Sequence, residues 1–342
     1  MIGKTKEKLV DSADRLFKLI DSMKRSRVLV IGDLTLDEFL TGQVERISRE
    51  APVLILRHEY TRQIPGGGAN AIYNLAKLGA KVKVAGLLGK DSQGETLRNV
   101  LEAAGIDTRG ILIERDRPTV TKTRIAGHAR QSVTQQIVRV DRKSDQLPHP
   151  DLQTQLAEYV QNQLATSDAV VCSDYGDGVL TESVIKAGLS HSRVIVDTQK
   201  DLQRFAGATL FTPNIPEAEQ AVGYSIKDDF SLDRAGRDLL KLTQAKQILI
   251  TRGEEGMSLF ESKGEEVETS HVPAFNRTDV FDVTGAGDTV VAALTLSLCE
   301  GASFWEAAVL GNLAASIVVR QFGTATTTTD EMKEALRVLL ED

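Results

Sequence analysis

Short apolar runs alternate with stretches of helical spacing along most of this chain. Arg27 to Ile31, Val82 to Leu88, Ala169 to Ser173, Val194 to Asp197, Ala208 to Thr212 and Gln247 to Thr251 read as buried strands, many ending in Gly, Asp, Ser or Thr. Between them, Ala69 to Leu78, Gln93 to Ala104, Leu152 to Leu164 and Leu232 to Leu242 repeat apolar residues at helical intervals. The alternation predicts a layered α/β core with a mainly parallel central sheet, and polar strand ends are where such sheets place their sites. Leu9, Ala13, Leu16, Phe17 and Ile20 predict an amphipathic N-terminal helix over about 4–25, packed on the core.

Two stretches break the alternation. Residues 38–64 and 111–141 hold the apolar or β-branched runs Val53 to Leu56, Thr119 to Ile125 and Gln136 to Val140, with no long helix among them. This predicts a small β-sheet lid inserted in a single domain spanning 1–342. A sheet this small leaves an apolar face to close over substrate or to pair with a second subunit, so a homodimer through the lid is expected.

Composition narrows the function. The 342 residues include 41 Lys and Arg against 48 Asp and Glu, a formal charge of −7, which argues against a nucleic-acid partner. No apolar run reaches the roughly 18 residues that span a bilayer, and no secretory signal is visible. Cys172 and Cys299 lie in apolar surroundings without metal-ligand spacing and read as free thiols of a cytoplasmic protein.

Near the C-terminus, Asp282-Val283-Thr284-Gly285-Ala286-Gly287-Asp288 runs into the apolar stretch Thr289 to Leu296. Small residues opening a helix present backbone amides and the positive helix end to an anion. In that first turn, Asp288 either caps the helix dipole or takes a proton from an attacking hydroxyl. A second glycine-rich segment, Gly66-Gly67-Gly68-Ala69-Asn70-Ala71, fits G-x-G-x-x-A and raises a dinucleotide oxidoreductase as a rival reading. Its context is wrong for that rival, because Arg62 to Pro65 lead in from the lid rather than from the first core strand. The alternative is glycines that let a helix begin tightly against the core. Asp33 and Asp37 follow the first predicted strand; ionised carboxylates suit sugar hydroxyls, while Asp33 reads rather as a holder of backbone amides. Neither a P-loop nor a protein-kinase motif set occurs.

The order D-x-T-G-A-G-D resembles the signature of the PfkB, or ribokinase-like, family of sugar kinases. The resemblance implies a base at Asp288 and an anion hole of Gly285, Ala286 and Gly287 amides. It gives sugar contacts to Asp37, Gly67, Gly68 and Asn70. Thr212-Pro213-Asn214-Ile215-Pro216-Glu217 resembles the family's N-x-x-E motif, implying that Asn214 and Glu217 organise magnesium through water; without the resemblance these residues read as a helix start. Thr251-Arg252-Gly253-Glu254-Glu255-Gly256 resembles the nucleotide loop, which assigns ATP contacts to Thr251, Gly253 and Gly256. Asn312 matches a further nucleotide contact, or reads alone as a polar residue on an exposed helix face. Asp282 matches the position that holds a monovalent cation such as potassium in several relatives.

Within the family, the strings Val28 to Asp33, Arg46 to Val53, Thr121 to Arg124 with Gln135-Gln136, and Gln321 to Thr326 resemble the heptose 7-phosphate 1-kinase branch. No nucleotidyltransferase segment follows, so the separate kinase form is expected. Two positions depart: Asp177 stands where that branch has Lys in D-Y-G-K-G, and Asp197-Thr198-Gln199 replaces D-P-K. Each loses a positive charge that would face a sugar phosphate. Lys122, Arg124, Arg130 and Lys200 remain as phosphate contacts. The expected activity is ATP-dependent phosphorylation of a sugar or sugar phosphate, with a catalytically silent sugar-binding regulator as the rival.

Overall fold

The computed structural model of the chain describes residues 2–129, 133–276, 280–321 and 323–341. Arg130 lies outside them. An N-terminal helix, α1 (Ile2–Ser22), leads into β1 (Arg27–Gly32), then two long strands, β2 (Leu34–Ile47) and β3 (Leu54–Gly67). Next come α2 (Gly68–Lys77), β4 (Lys81–Gly89), α3 (Ser92–Ala103), β5 (Asp107–Glu114), β6 (Val120–His128) and β7 (Gln135–Arg142). The chain then alternates through α4 (Pro150–Leu164), β8 (Ala169–Asp174), α5 (Glu182–Leu189), β9 (Val194–Thr198) and β10 (Leu210–Phe211). Helices α6 (Ile215–Val222) and α7 (Asp229–Thr243) precede β11 (Gln247–Thr251) and the hairpin β12 (Met257–Lys263) and β13 (Glu266–Val272). Helices α8 (Ala286–Cys299), α9 (Phe304–Val318) and α10 (Thr329–Glu341) end the chain.

The main sheet has nine strands in the order β13-β12-β11-β10-β9-β8-β1-β4-β5, parallel except for β12 and β13. From β1 the chain winds outward to β4 and β5, then returns to β8 and winds the other way. The order therefore reverses between β1 and β8, and a crevice at the carboxyl ends of such strands is where open α/β sheets bind ligands. One apolar cluster gathers α1, α2, α8, α9 and α10 on one face, with Leu16, Ile72, Leu294 and Leu310 fully buried; the other gathers α4, α5 and α7 around Leu156, Phe205 and Leu239. Helix α8 is apolar on every side because it lies at the centre of its layer, with Thr289 to Leu298 all buried.

The lid is a second sheet of four strands, β3-β2-β6-β7, in which β2 pairs with β6 in parallel and the other neighbours are antiparallel. Its second segment starts later than expected. Residues 111–114 belong to β5, which pairs in parallel with β4 at the edge of the main sheet. Ile111 is buried there and Leu112 packs on the core, so their apolar character marks a core edge rather than the lid. The antiparallel hairpin β12–β13 was also outside the sequence expectation. Cys172 and Cys299 are free, and among the described residues no helix is long and apolar enough to cross a membrane.

Candidate active site

Helix α8 begins at Gly285, whose φ of 77° is a left-handed conformation. A Cβ there would stand 2.5 Å from Asn70 Nδ2, so both the turn and the close approach of α2 require glycine. Three residues on, Asp288 is 4% exposed. Its carboxylate, in the first turn of α8, bonds across to other elements: Oδ2 accepts from Asn70 Nδ2 at 2.7 Å, and Oδ1 from the Tyr175 hydroxyl at 3.0 Å. Burial pushes the Asp288 carboxyl up to about 6 against these two bonds, the negative charge of Asp37 adds to the rise, and Lys122 opposes it. Among the three expected anion-hole amides, that of Ala286 donates to Val283 O at 3.1 Å in this conformation, because Val283 to Ala286 form a turn. Gly287 has open space where a Cβ would be, so its backbone can be approached closely.

Asp37, on β2, is buried, and Arg124 Nη1 on β6 lies 3.0 Å from its Oδ1. The register that sets Asp37 beside Lys122 and Phe39 beside Arg124 brings these lid residues together. Lys122 Nζ sits 5.4 Å from the Tyr175 ring centre, which places a cation beside the same tyrosine that bonds Asp288. Gly67 and Gly68 serve tight packing: a Cβ at Gly67 would lie 2.8 Å from Thr35 Oγ1, and one at Gly68 would lie 2.9 Å from Asp33 O. Asp33 satisfies backbone amides, accepting from Tyr175, Asp177 and Val179 at 2.9–3.0 Å and so fixing the loop after β8.

At the neighbouring strand ends, Asn214 and Glu217 form a capping box on α6: Asn214 Oδ1 accepts from Glu217 N and Glu217 Oε2 accepts from Asn214 N, each at 2.9 Å. The helix-start reading is thus realised, and it leaves Glu217 Oε1 outside the box. Asn214 also bridges to Thr251, whose amide donates to Pro213 O at 3.0 Å. Gly253 follows with φ 56° and open space around it. Gly256 and Asn312 meet on one segment instead: a Cβ at Gly256 would overlap Val272 O, and Asn312 Nδ2 donates to Pro273 O at 2.7 Å. Asn312 is 5% exposed, so the exposed-face reading does not hold. The Asp282 carboxylate accepts from Thr284 N and Gly323 N, each at 2.9 Å; burial raises its pKa, but these bonds win and hold it low.

Two residues with no assigned role join the halves. Tyr175 is held as a neutral hydroxyl, its pKa raised by burial and by the charges of Asp288, Asp197 and Glu217. Asp197, at the end of β9, is pushed well above the usual carboxylate range by burial and then by Asp288 and Glu217. The base cluster and the Asn214–Glu217 end therefore share one field. Position at a parallel strand's carboxyl end was the available signal for both. The Asp177 departure is offset in space, because Lys143 Nζ lies 3.6 Å from Asp177 Oδ1 and returns a positive charge to the loop. Gln199 and Lys200 are exposed.

Comparison with known proteins shows the family and the fold. Residues 25–331 match the model of the family described as pfkB family carbohydrate kinase. The chain is 44% identical over 317 residues to the bifunctional protein HldE of Desulfatibacillum aliphaticivorans, covering 91% of this chain and 63% of that protein. It is 42% identical over 310 residues to HldE of Geobacter metallireducens, covering 89% and 61%. The chain thus spans about three-fifths of the length of these relatives. Among solved structures, phosphofructokinase-2 from Escherichia coli in complex with fructose-6-phosphate is similar with a TM-score of 0.73 at 20% identity, covering 92% of this chain and 99% of that one. Arabidopsis thaliana ribokinase complexed with ribose and ATP gives 0.69 at 21%, covering 93% and 99%. These likenesses show the ribokinase-like fold.

Proposed function

The chain belongs to the pfkB family of carbohydrate kinases, and from that premise we propose that it transfers the γ-phosphoryl group of ATP to the 1-hydroxyl of a heptose 7-phosphate. The observation that carries the reading is Asp288: a buried carboxylate raised to about 6, held by Asn70 and Tyr175 in the first turn of α8. A carboxylate so placed takes the proton of an acceptor hydroxyl as the oxygen attacks phosphorus, while the helix N-terminus faces the charge that develops. Asp37 accepts sugar hydroxyls, and Arg124 holds its carboxylate in place. Lys122 and Lys143 supply positive charge toward the acceptor phosphate.

Thr251, Gly253 and Asn214 form the ATP side of the crevice in this reading, with Gly256 and Asn312 shaping the wall behind it. Bound with ATP, magnesium offsets phosphate charge. Asn214 and Glu217 would hold its water shell, and the fit is chemical: Asp197, Asp288 and Glu217 crowd negative charge together, which a cation relieves. Asp282 ties the 282–285 turn to Gly323 and is the candidate ligand for a monovalent cation; equal rates in potassium and in tetramethylammonium buffers would withdraw that role.

The deciding experiment measures ATP consumption against a panel of sugars and sugar phosphates with the wild-type chain and with Asp288→Asn. Turnover confined to heptose 7-phosphate and lost in the variant supports the reading. Turnover with another acceptor reassigns the substrate, and sugar binding without ATP consumption makes the chain a regulator.

A further inference from the structure

A fixed acceptor sets the sense of a buried chain of amides behind Asp288. The backbone carbonyl of Asn70 only accepts, so the Asn74 atom 3.0 Å from it is the donor Nδ2. That turns Asn74 Oδ1 toward Thr289, whose hydroxyl lies 3.0 Å from it and 3.2 Å from Gly285 O, so its one proton is divided between these two acceptors. The same Asn74 Nδ2 lies 3.2 Å from Asn70 Oδ1, which leaves Asn70 Nδ2 facing the Asp288 carboxylate at 2.7 Å. Asn70, Asn74 and Thr289 are at most 1% exposed, so these groups have no solvent alternative.

We propose that Asn74 and Thr289 are positioning residues that lock the Asn70 amide with its donor toward Asp288, so that the pocket accepts the ionised carboxylate and disfavours the protonated one. The inference rests on the reading of Asp288 as the base. An unrestrained asparagine serves either state of a carboxyl group, offering NH₂ to the anion or C=O to the acid. Here the second option is closed. Flipping Asn70 sets its donor against the donor of Asn74, and flipping Asn74 as well sets its oxygen against the Asn70 carbonyl.

The other groups around Asp288 lack this selectivity. The Tyr175 hydroxyl, from the loop after β8, rotates to donate or accept. Asp37 on β2 adds negative charge and Lys122 on β6 opposes it, while Asp197 on β9 is itself pushed toward its neutral form by burial and by Asp288. The amide lock is therefore the orientation-dependent counterweight to burial.

The test titrates the Asp288 carboxyl directly in the full, unliganded chain carrying ¹³C-labelled Asp, its resonance identified by its loss in Asp288→Asn. Wild type is expected to titrate near 6. Asn74→Leu frees Asn70 to flip and should raise the midpoint by about one pH unit. Thr289→Val should raise it by less, and Thr289→Ser should restore it. A wild-type midpoint in both Asn74→Leu and Thr289→Val overturns the proposal. If circular dichroism shows Asn74→Leu unfolded, the Thr289 pair decides alone. Proton binding is read without substrate, so this outcome is separate from the Asp288→Asn turnover that tests the base itself.

Discussion

A general base has to be ionised when the substrate arrives and still hold a proton well enough to accept one. In the role proposed for Asp288, burial supplies the second property and the donors of Asn70 and Tyr175 protect the first. The kcat/KM profile is therefore expected to fall tenfold per unit below about pH 6. Asp288→Asn should lose at least about 10²-fold in turnover while still binding ATP and sugar, and near-normal turnover would reject the base. The same variant should be more stable at neutral pH. Unfolded, this carboxyl returns to 3.8, so the folded protein binds its proton more tightly, and that contribution is present below 3.8 and lost as pH rises through about 6. Asp33, raised to about 6 by burial, acts in the same direction. The melting temperature should thus fall between pH 5 and pH 7.5, with a smaller fall and a few degrees' gain at pH 7.5 in Asp288→Asn; a larger fall in the variant than in wild type would contradict this. Asp288, Asn70 and Asp37 could be singled out from motif order. Tyr175 had a strand's carboxyl end as its signal, but its bond to Asp288 joins residues 113 apart, so the sequence did not show its partner.

Among the elements, α6 starts on a pair of residues that the structure shows as a cap and for which a magnesium role is proposed. Asn214 and Glu217 cap the helix, and the charge of Glu217 adds to the negative field at Asp197. Glu217→Gln keeps a capping acceptor but removes the charge, so it should raise the magnesium requirement several-fold with little loss of stability. Unchanged magnesium dependence over a full titration would take Glu217 out of the site. The helix start at this segment was legible because a capping box has its own residue types and spacing. Motif reading missed β5, whose buried Ile111 looks like lid from sequence, and the β12–β13 hairpin, whose strands differ in burial on either side of Gly264. The loop after β8 carries the second element-scale expectation. Lys143 lies in the segment leaving β7 yet reaches Asp177, so charge deleted at one position returns from another part of the chain. Lys143→Ala should cost about tenfold in kcat/KM for a phosphorylated acceptor and little for an unphosphorylated one. Equal losses on both would remove Lys143 from the phosphate end.

Over the whole molecule, the reversal of strand order between β1 and β8 decides where the crevice opens, and the lid stands over it because β2 leaves β1 after a single residue. Alternation in the sequence predicted the layers but not the strand order, since pairing of β1 with β8 joins segments more than a hundred residues apart. The lid's outer strand gives the last expectation. All of β7 is exposed, with Ile137, Val138 and Val140 each over 40% accessible, and Ile47, Leu54 and Tyr60 are likewise bare on β2 and β3. A four-stranded sheet with open edges and uncovered apolar residues is a poor free surface, and a second copy covers it symmetrically. We therefore expect a homodimer through the lid. Sedimentation of the full chain over a range of concentrations should give a dimer that Val138→Lys with Val140→Lys converts to monomer without unfolding it. Since Asp37, Lys122 and Arg124 ride on the same sheet, the monomer should show a raised KM for the sugar and a nearly unchanged KM for ATP. Wild-type protein that stays monomeric at every concentration sinks the idea, and a dimer that survives both lysines moves the interface off β7.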